Sequence, residues 1–280
     1  MKQPSSIFFL GIGGIGMSAL ARYFKMRGCS VSGYDKTSTP LTDLLVEEGI
    51  HVFFSEDIAM LPEAGLVIYT PAVPKEHPAY QFYKEKGIPM KKRAEVLGMI
   101  TDLSRTIAVA GTHGKTTTST LIAHIMKNSG FSFMAFLGGI SKDYDSNFIT
   151  SENFTNQPLP ETKPEYFVAE ADEFDKSFLT IHPEVAVITS MDADHLDIYK
   201  EVTALQQSFS EFARNVRKNG SLIVKKGLKP DLGEGGDISL FSYSTDDSTD
   251  YGAVEVIIKN GMYHFDLLTP AGLIKDCTVG

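Results

Sequence analysis

The sequence predicts an α/β protein in which parallel sheets are covered by helices. Short apolar runs of strand length alternate with amphipathic stretches of helix length. Two glycine-rich loops each stand between such a run and such a stretch, one near residue 11 and one near residue 111. Because this order is typical of nucleotide-binding folds, we expect an N-terminal Rossmann-like parallel sheet domain and a central P-loop ATPase-type α/β domain.

The first glycine-rich loop has the pattern G-x-G-x-x-G and an acidic residue beyond it. The predicted elements around it are a strand at Ile7–Leu10, a helix from Met17 to about Met26 and a strand at Ser30–Tyr34. In such a unit the loop backbone approaches a diphosphate, and Asp35 accepts a hydrogen bond from a ribose hydroxyl. The expected contact residues are Gly13, Gly14, Ile15, Gly16 and Asp35. A nicotinamide or flavin dinucleotide fits this motif as well as any other diphosphate-linked nucleoside, and a turn for close helix packing is the alternative.

Further strand and helix signals continue this first domain. They are a helix near Leu41–Glu48, strands at His51–Phe54 and Leu66–Thr70, and helices at Ala79–Glu85 and Arg93–Leu103. Thr70 stands at the carboxyl end of its strand, the edge where open α/β sheets bind ligands. We therefore expect Thr70 to contact the ligand, with simple capping of its loop as the alternative. The first domain is expected at residues 1–100 and the second at 101–280.

The second glycine-rich loop follows the apolar run Thr106–Ala110 and precedes an amphipathic stretch, Ser119–Met126. Loop amides and a helix N-terminus converge there, an arrangement that suits a triphosphate. Lys115 would lie against the β- and γ-phosphates of ATP, and the Thr116 hydroxyl would reach Mg²⁺. The expected ATP-binding residues are Gly111, Thr112, His113, Gly114, Lys115, Thr116 and Thr117. Val109 replaces the first glycine of the P-loop consensus, so a chance Gly-Lys-Thr turn is the alternative.

Acidic residues and a histidine follow two later apolar runs, Tyr166–Ala169 and Val185–Ser190. In a parallel sheet these strand ends share an edge with the triphosphate loop. Glu170 is the first choice for a carboxylate ligand of Mg²⁺ and Glu173 the second choice. His195 is expected to hold a second ion or to orient water and phosphate. The alternatives are a solvated acidic loop and a hydrogen-bonded structural histidine.

The remaining segments complete the second domain. Lys142–Lys163 is polar and without periodicity, so we expect an exposed insertion or loop there. The other expectations are a helix at Val202–Val216, strands at Gly220–Val224, Ile238–Tyr243 and Ala253–Lys259, and a hairpin turn at Asn260-Gly261.

Composition excludes several classes of function. The net charge is −9 and no run of lysines and arginines stands out, so nucleic acid is not an expected partner. The two cysteines, Cys29 and Cys277, are far apart, which favours a reducing compartment. No apolar stretch is long enough to span a membrane. We expect a cytoplasmic monomer or homodimer without a membrane partner.

Four sequence blocks together resemble the Mur ligase family of bacterial cell-wall synthesis. They are Gly11–Ala21, Ala110–Thr118, Ala169–Glu173 and Asp192–Asp197. The resemblance implies a UDP-sugar domain, an ATPase domain and an amino-acid domain. The third is expected to be absent from this chain, which would then be an inactive fragment. The implied substrates are UDP-N-acetylmuramate, L-alanine and ATP, joined through an acyl phosphate in peptidoglycan precursor synthesis.

The resemblance also implies roles for individual residues. The first glycine loop would hold the UDP diphosphate, with Asp35 and Thr70 near the uridine or diphosphate. Lys115 would stabilise the γ-phosphate, Thr116 and Glu170 would hold one Mg²⁺, and His195 would hold the second.

Other functions stay open at this point. Folylpolyglutamate synthase is a rival within the superfamily but lacks the N-terminal domain, and the murein-peptide recycling ligase looks less similar in its first glycine loop and acidic block. An NAD-dependent dehydrogenase would explain the first loop and Asp35 but not the second loop. A nucleotide-binding regulatory module is the nonenzymatic alternative.

Overall fold

The computed structural model describes residues 4–151, 166–173, 177–192, 202–233 and 237–280. These residues form two compact units. The first comprises Met1–Thr106 and Thr116–Glu170, and the second comprises Ile107–Lys115 and Ala171–Gly280. Both contain strands and helices, which confirms the predicted α/β class. Each unit is defined by packing contacts and combines two separate stretches of the chain. The predicted division into residues 1–100 and 101–280 therefore stays a prediction.

The first unit contains a five-stranded parallel sheet with the order β3-β2-β1-β4-β5. Its strands are β1 (Ser6–Leu10), β2 (Ser30–Tyr34), β3 (His51–Phe53), β4 (Leu66–Tyr69) and β5 (Met90–Lys92). The apolar residues Phe8, Phe9 and Leu10 of β1 are fully buried, as expected of a central strand covered on both faces. β1 pairs in parallel with β2 on one side and with β4 on the other. The strand order therefore reverses at β1, and ligands bind at such a switch point.

Three helices connect strands of this sheet, and a fourth follows β5. They are α1 (Ile15–Met26), α2 (Pro40–Glu47), α3 (Pro78–Glu85) and α4 (Arg93–Thr101), each within two residues of its predicted position. The start of α2 is fixed by a capping box. The Thr39 side chain accepts from the Thr42 N–H and the Thr42 hydroxyl accepts from the Thr39 N–H, with Pro40 at the first helical position.

A second group of strands in the first unit follows α5 (Lys115–Asn128). β7 (Phe133–Ser141) pairs antiparallel with β8 (Ser146–Thr150) and parallel with β9 (Tyr166–Ala171). The predicted loop at Lys142–Lys163 was wrong in its first part, where β8 forms. Asn147 and Ile149 are the inward-facing residues of β8, and the buried asparagine concealed the strand pattern. Residues 152–163 lie outside the described part of the chain.

The second unit has a mixed sheet with the order β6-β10-β11-β12-β13-β14-β15. Its strands are β6 (Arg105–Ala110), β10 (Val185–Ile188), β11 (Ser221–Lys225), β12 (Ser239–Ser244), β13 (Tyr251–Lys259), β14 (Met262–Thr269) and β15 (Gly272–Val279). The first five are parallel, and the last two pair antiparallel. The hairpin predicted at Asn260-Gly261 is confirmed, because both residues have positive φ and Lys259 pairs with Met262.

One helix of the second unit, α6 (Val202–Arg214), packs its aromatic residues into the core. The Phe178 ring stacks on Phe212 with 5.3 Å between centroids and meets Phe209 edge-on at 5.7 Å. All three side chains are fully buried. In the described part of the chain, no helix has the length and apolar character needed to cross a bilayer.

Candidate active site

The triphosphate loop begins at the carboxyl end of β6, beside the end of β10. Gly111 has φ +140°, a conformation that side chains rarely adopt. A Cβ atom there would lie 2.1 Å from Thr189 Oγ1 and 2.9 Å from the Ser190 nitrogen. Only glycine therefore fits between the loop and the residues that follow β10.

The residues after β10 hold the loop in place. The Ser190 hydroxyl accepts from the His113 N–H at 2.7 Å and lies 2.8 Å from Thr112 Oγ1. The Thr189 hydroxyl donates to the His113 carbonyl. These bonds hold the loop backbone to the end of β10. Sequence reasoning missed this role of Thr189 and Ser190, although they stood at the strand end where loop contacts are expected.

Lys115 binds two groups within the second unit. Its Nζ donates to the Gly111 carbonyl at 2.7 Å and to Glu173 Oε2 and Oε1 at 2.9 and 3.1 Å. The Glu173 side chain is fully buried and the Lys115 side chain is 13% exposed. Glu173, the second choice for a metal ligand, thus forms an ion pair with Lys115 in this structure.

Thr116 and Glu170, both expected to hold Mg²⁺, meet within the first unit. The Thr116 hydroxyl donates to Glu170 Oε1 at 3.0 Å, and the Gly138 N–H donates to Glu170 Oε2 at 2.7 Å. A Cβ at position 138 would lie 2.3 Å from Glu170 Oε1. Gly138, which lies within β7, is therefore a site residue that sequence reasoning missed.

The Thr116 hydroxyl and the Glu170 carboxylate fit the oxygen ligands that Mg²⁺ prefers. With one carboxylate, the remaining positions would go to nucleotide oxygens and water. Among the described residues, no group of three or more His, Cys, Asp or Glu side chains is placed to hold a metal ion. His195 lies outside the described residues, so its proposed role stays a prediction. Asp192, which belongs to the same sequence block, donates its N–H to Thr112 Oγ1 at 3.2 Å.

The first glycine loop lies at the switch point of the five-stranded sheet. Asp35 Oδ2 accepts from the Gly13 N–H at 2.7 Å, and Oδ1 accepts from the Thr37 N–H at 3.4 Å. Asp35 therefore binds the loop backbone itself, and its predicted contact with a ribose stays untested. The next residue back, Tyr34, has its pKa raised by burial and by the neighbouring Glu56 carboxylate, so its phenol stays neutral.

The start of α1 follows directly from this loop. Gly14 is the N-cap residue and makes no side-chain capping bond, so the first turn, which begins with Ile15 and Gly16, retains backbone N–H groups that suit an anion. The Arg93 side chain lies against Gly16, close enough that a Cβ there would be 2.6 Å from Nη1. Sequence reasoning missed this cation because Arg93 is 77 positions away.

Thr70 lies at the same sheet edge, with its N–H donating to the Leu10 carbonyl at 3.3 Å. Its hydroxyl accepts from the Ala72 N–H at 3.5 Å, which is the loop-capping alternative. Both the capping and the predicted ligand contact are compatible with this position.

Two family models cover nearly the whole chain. The Mur ligase family, catalytic domain, matches residues 6–105, and the Mur ligase middle domain matches residues 109–279. The chain belongs to the Mur ligase family. Membership accounts for both glycine loops, whereas a dehydrogenase would leave the loop at Gly111–Thr117 unexplained.

Named relatives within the family are longer than this chain. UDP-N-acetylmuramate--L-alanine ligase of Christiangramia forsetii is 47% identical over 99% of this chain, which spans 58% of that relative. The crystal structure of UDP-N-acetylmuramate-alanine ligase from Thermotoga maritima has a TM-score of 0.79 at 25% identity, covering 99% of this chain and 60% of that one. UDP-N-acetylmuramate:L-alanyl-gamma-D-glutamyl-meso-diaminopimelate ligase from Neisseria meningitides has a TM-score of 0.82 at 25% identity, covering 97% and 86%.

Proposed function

We propose that this chain is part of an ATP-dependent ligase that joins L-alanine to the carboxylate of UDP-N-acetylmuramate in peptidoglycan precursor synthesis. The observation that carries the proposal is the presence of two glycine-rich loops in one Mur ligase chain, one at the sheet switch point and one carrying Lys115 and Thr116. The 47% identity with a UDP-N-acetylmuramate--L-alanine ligase supports the choice of substrates.

The chemistry requires a carboxylate to attack the γ-phosphate of ATP. Both groups are negatively charged, so catalysis depends on preorganised positive charge and N–H donors. Lys115 and the amides of the loop fixed by Ser190 are placed to supply them. The muramate carboxylate takes the phosphoryl group from ATP, ADP leaves, and the acyl phosphate forms. The L-alanine amine then attacks the acyl carbon, phosphate leaves, and the amide remains.

Thr116 and Glu170 would hold a Mg²⁺ ion, and we retain His195 as the proposed residue for a second ion. The chemistry that bound Mg²⁺ supplies is neutralisation of charge on the β- and γ-phosphates. Gly138 contributes by donating to Glu170 Oε2, which keeps Oε1 directed at the Thr116 hydroxyl.

The UDP part of the substrate would bind at the first glycine loop. Its diphosphate is assigned to Gly13, Gly14, Ile15 and Gly16 at the start of α1, because N–H groups and the helix dipole favour an anion there. Asp35 would act by accepting the hydrogen bond from the Gly13 N–H, which holds the loop in position. Thr70 lies at the same sheet edge, at the end of β4. Since ATP and a UDP-sugar are the substrates, we also propose a cytoplasmic location.

The acceptor could instead be a peptide. The Neisseria ligase, whose name includes an L-alanyl-gamma-D-glutamyl-meso-diaminopimelate group, is as similar in fold as the Thermotoga enzyme. Supplying the tripeptide in place of L-alanine separates the two candidates, because only the preferred acceptor accelerates phosphate release.

The test is release of phosphate from ATP by a version of the protein that has the length of its relatives. We expect release to require both UDP-N-acetylmuramate and L-alanine, and Lys115→Ala to abolish it because the γ-phosphate loses its cation. Phosphate release by Lys115→Ala near the unsubstituted rate, or release that ignores UDP-N-acetylmuramate, would contradict the proposal.

A further inference from the structure

Glu173 is a charged, fully buried residue to which the proposed reaction assigns no role. Lys115 of the same unit pairs with it: Lys115 Nζ donates to both Glu173 carboxylate oxygens and to the Gly111 carbonyl. A buried carboxylate needs a cation and hydrogen bonds to offset the loss of water. Lys115 supplies both.

We propose that Glu173 is a positioning residue that holds the Lys115 ammonium over the triphosphate loop, and that it does not ligate a metal ion. This inference rests on the proposed function only in taking Lys115 as the phosphate-binding cation. The sequence makes Glu173 the second choice among the candidate Mg²⁺ ligands, and the positioning role is the alternative that the experiments below separate from it.

The number of N–H donors on Lys115 allows it to pair with Glu173 and bind phosphate at the same time. A lysine ammonium has three N–H donors. In the structure one faces the Gly111 carbonyl at 2.7 Å, and the others face Glu173 Oε2 and Oε1 at 2.9 and 3.1 Å. A triphosphate oxygen needs one donor, so Lys115 can release the longer Glu173 contact and keep the other two bonds. The buried carboxylate then remains paired while ATP is bound.

Stability of the 280-residue chain tests the pairing without any ligand. Lys115→Met leaves the Glu173 charge buried without its cation, so we expect a lower melting temperature. Glu173→Gln combined with Lys115→Met removes that charge, and the double variant should melt at a higher temperature than Lys115→Met alone. If the fall in melting temperature of the double variant equals the sum of the falls in Lys115→Met and Glu173→Gln, the two residues are not paired.

Nucleotide affinity tests the positioning role, with a nonhydrolysable ATP analogue as the probe. Glu173→Gln should weaken binding about tenfold, and by the same factor with Mg²⁺ and with EDTA, because the lysine acts on phosphate directly. Glu170→Gln is the matched control and should lose affinity only when Mg²⁺ is present. The affinity measurement does not use Lys115→Met, so it tests the positioning role even if that variant fails to fold.

Three outcomes of the affinity measurement would overturn the proposal. A loss in Glu173→Gln confined to Mg²⁺ conditions would make Glu173 a metal ligand. Unchanged affinity with a lower melting temperature would make it a structural residue only, and tighter binding would make it a competing counter-ion. If the unsubstituted chain binds no ATP analogue, the proposed function fails while the stability cycle still decides whether the pair exists.

Discussion

Asn147 on β8 donates through Nδ2 to the carbonyl of Ile15, the first residue of α1, at 2.6 Å. The same amide nitrogen donates to Ser18 Oγ at 2.9 Å, and Oδ1 accepts from Arg22 Nη1. Asn147 is fully buried. One side chain thus joins the helix that begins at the first glycine loop to the hairpin whose other strand carries Gly138.

Asn147→Ala should destabilise the first unit because it removes three hydrogen bonds between β8 and buried groups on α1. Each unsatisfied buried group costs about 1–3 kcal/mol, so we expect a total loss of about 3 kcal/mol in the free energy of unfolding. Denaturant unfolding measures this loss. Asn128→Ala is the control, since Asn128 is exposed and bonds only its own helix at His124 among the described contacts. Equal losses in the two variants would show that the bridge is not important for stability.

Gly138→Ala should disturb the Glu170 carboxylate, because the added methyl group would lie 2.3 Å from Oε1. We expect the Mg²⁺-dependent part of ATP-analogue binding to weaken about tenfold, measured by calorimetry with and without Mg²⁺. Gly139→Ala is the matched control, because its Cβ would lie 3.5 Å from Thr116 Cγ2, an ordinary contact. Equal affinities in the two variants would remove Glu170 from the metal site.

Asp35→Ala should weaken binding of UDP-N-acetylmuramate about tenfold, because the Gly13 N–H loses the acceptor that holds the glycine loop. Titration calorimetry gives the two affinities. The exposed Asp43, which contacts Ser38, offers a control substitution, Asp43→Ala, that should change affinity less than about twofold. Loss of affinity in both variants would point to a general effect of charge.

Much of the first unit could be predicted from sequence because local rules and tertiary packing agree there. The apolar run of β1 and the glycine loop each give an independent signal at the correct position. β8 could not be predicted, since its buried Asn147 is stabilised by partners on α1, more than 120 positions away.

The candidate site shows the same limit. The motif around Lys115 predicted the loop, and the meeting of Thr116 with Glu170 followed from strand ends that share an edge. The partners of Lys115 and Asp35 could not be predicted. A motif identifies the residues that face a ligand, but it does not identify the residues that hold those side chains in position. Glu173 and Gly138 are residues of the second kind.

The first glycine loop is proposed to bind a UDP-sugar and not a dinucleotide cofactor. Thermal unfolding of the 280-residue chain with added ligand tests it directly, because a ligand that binds only the folded state raises the melting temperature. We predict that UDP-N-acetylmuramate raises the melting temperature by several degrees and that NADH leaves it unchanged. A rise with NADH and none with UDP-N-acetylmuramate would contradict the assignment.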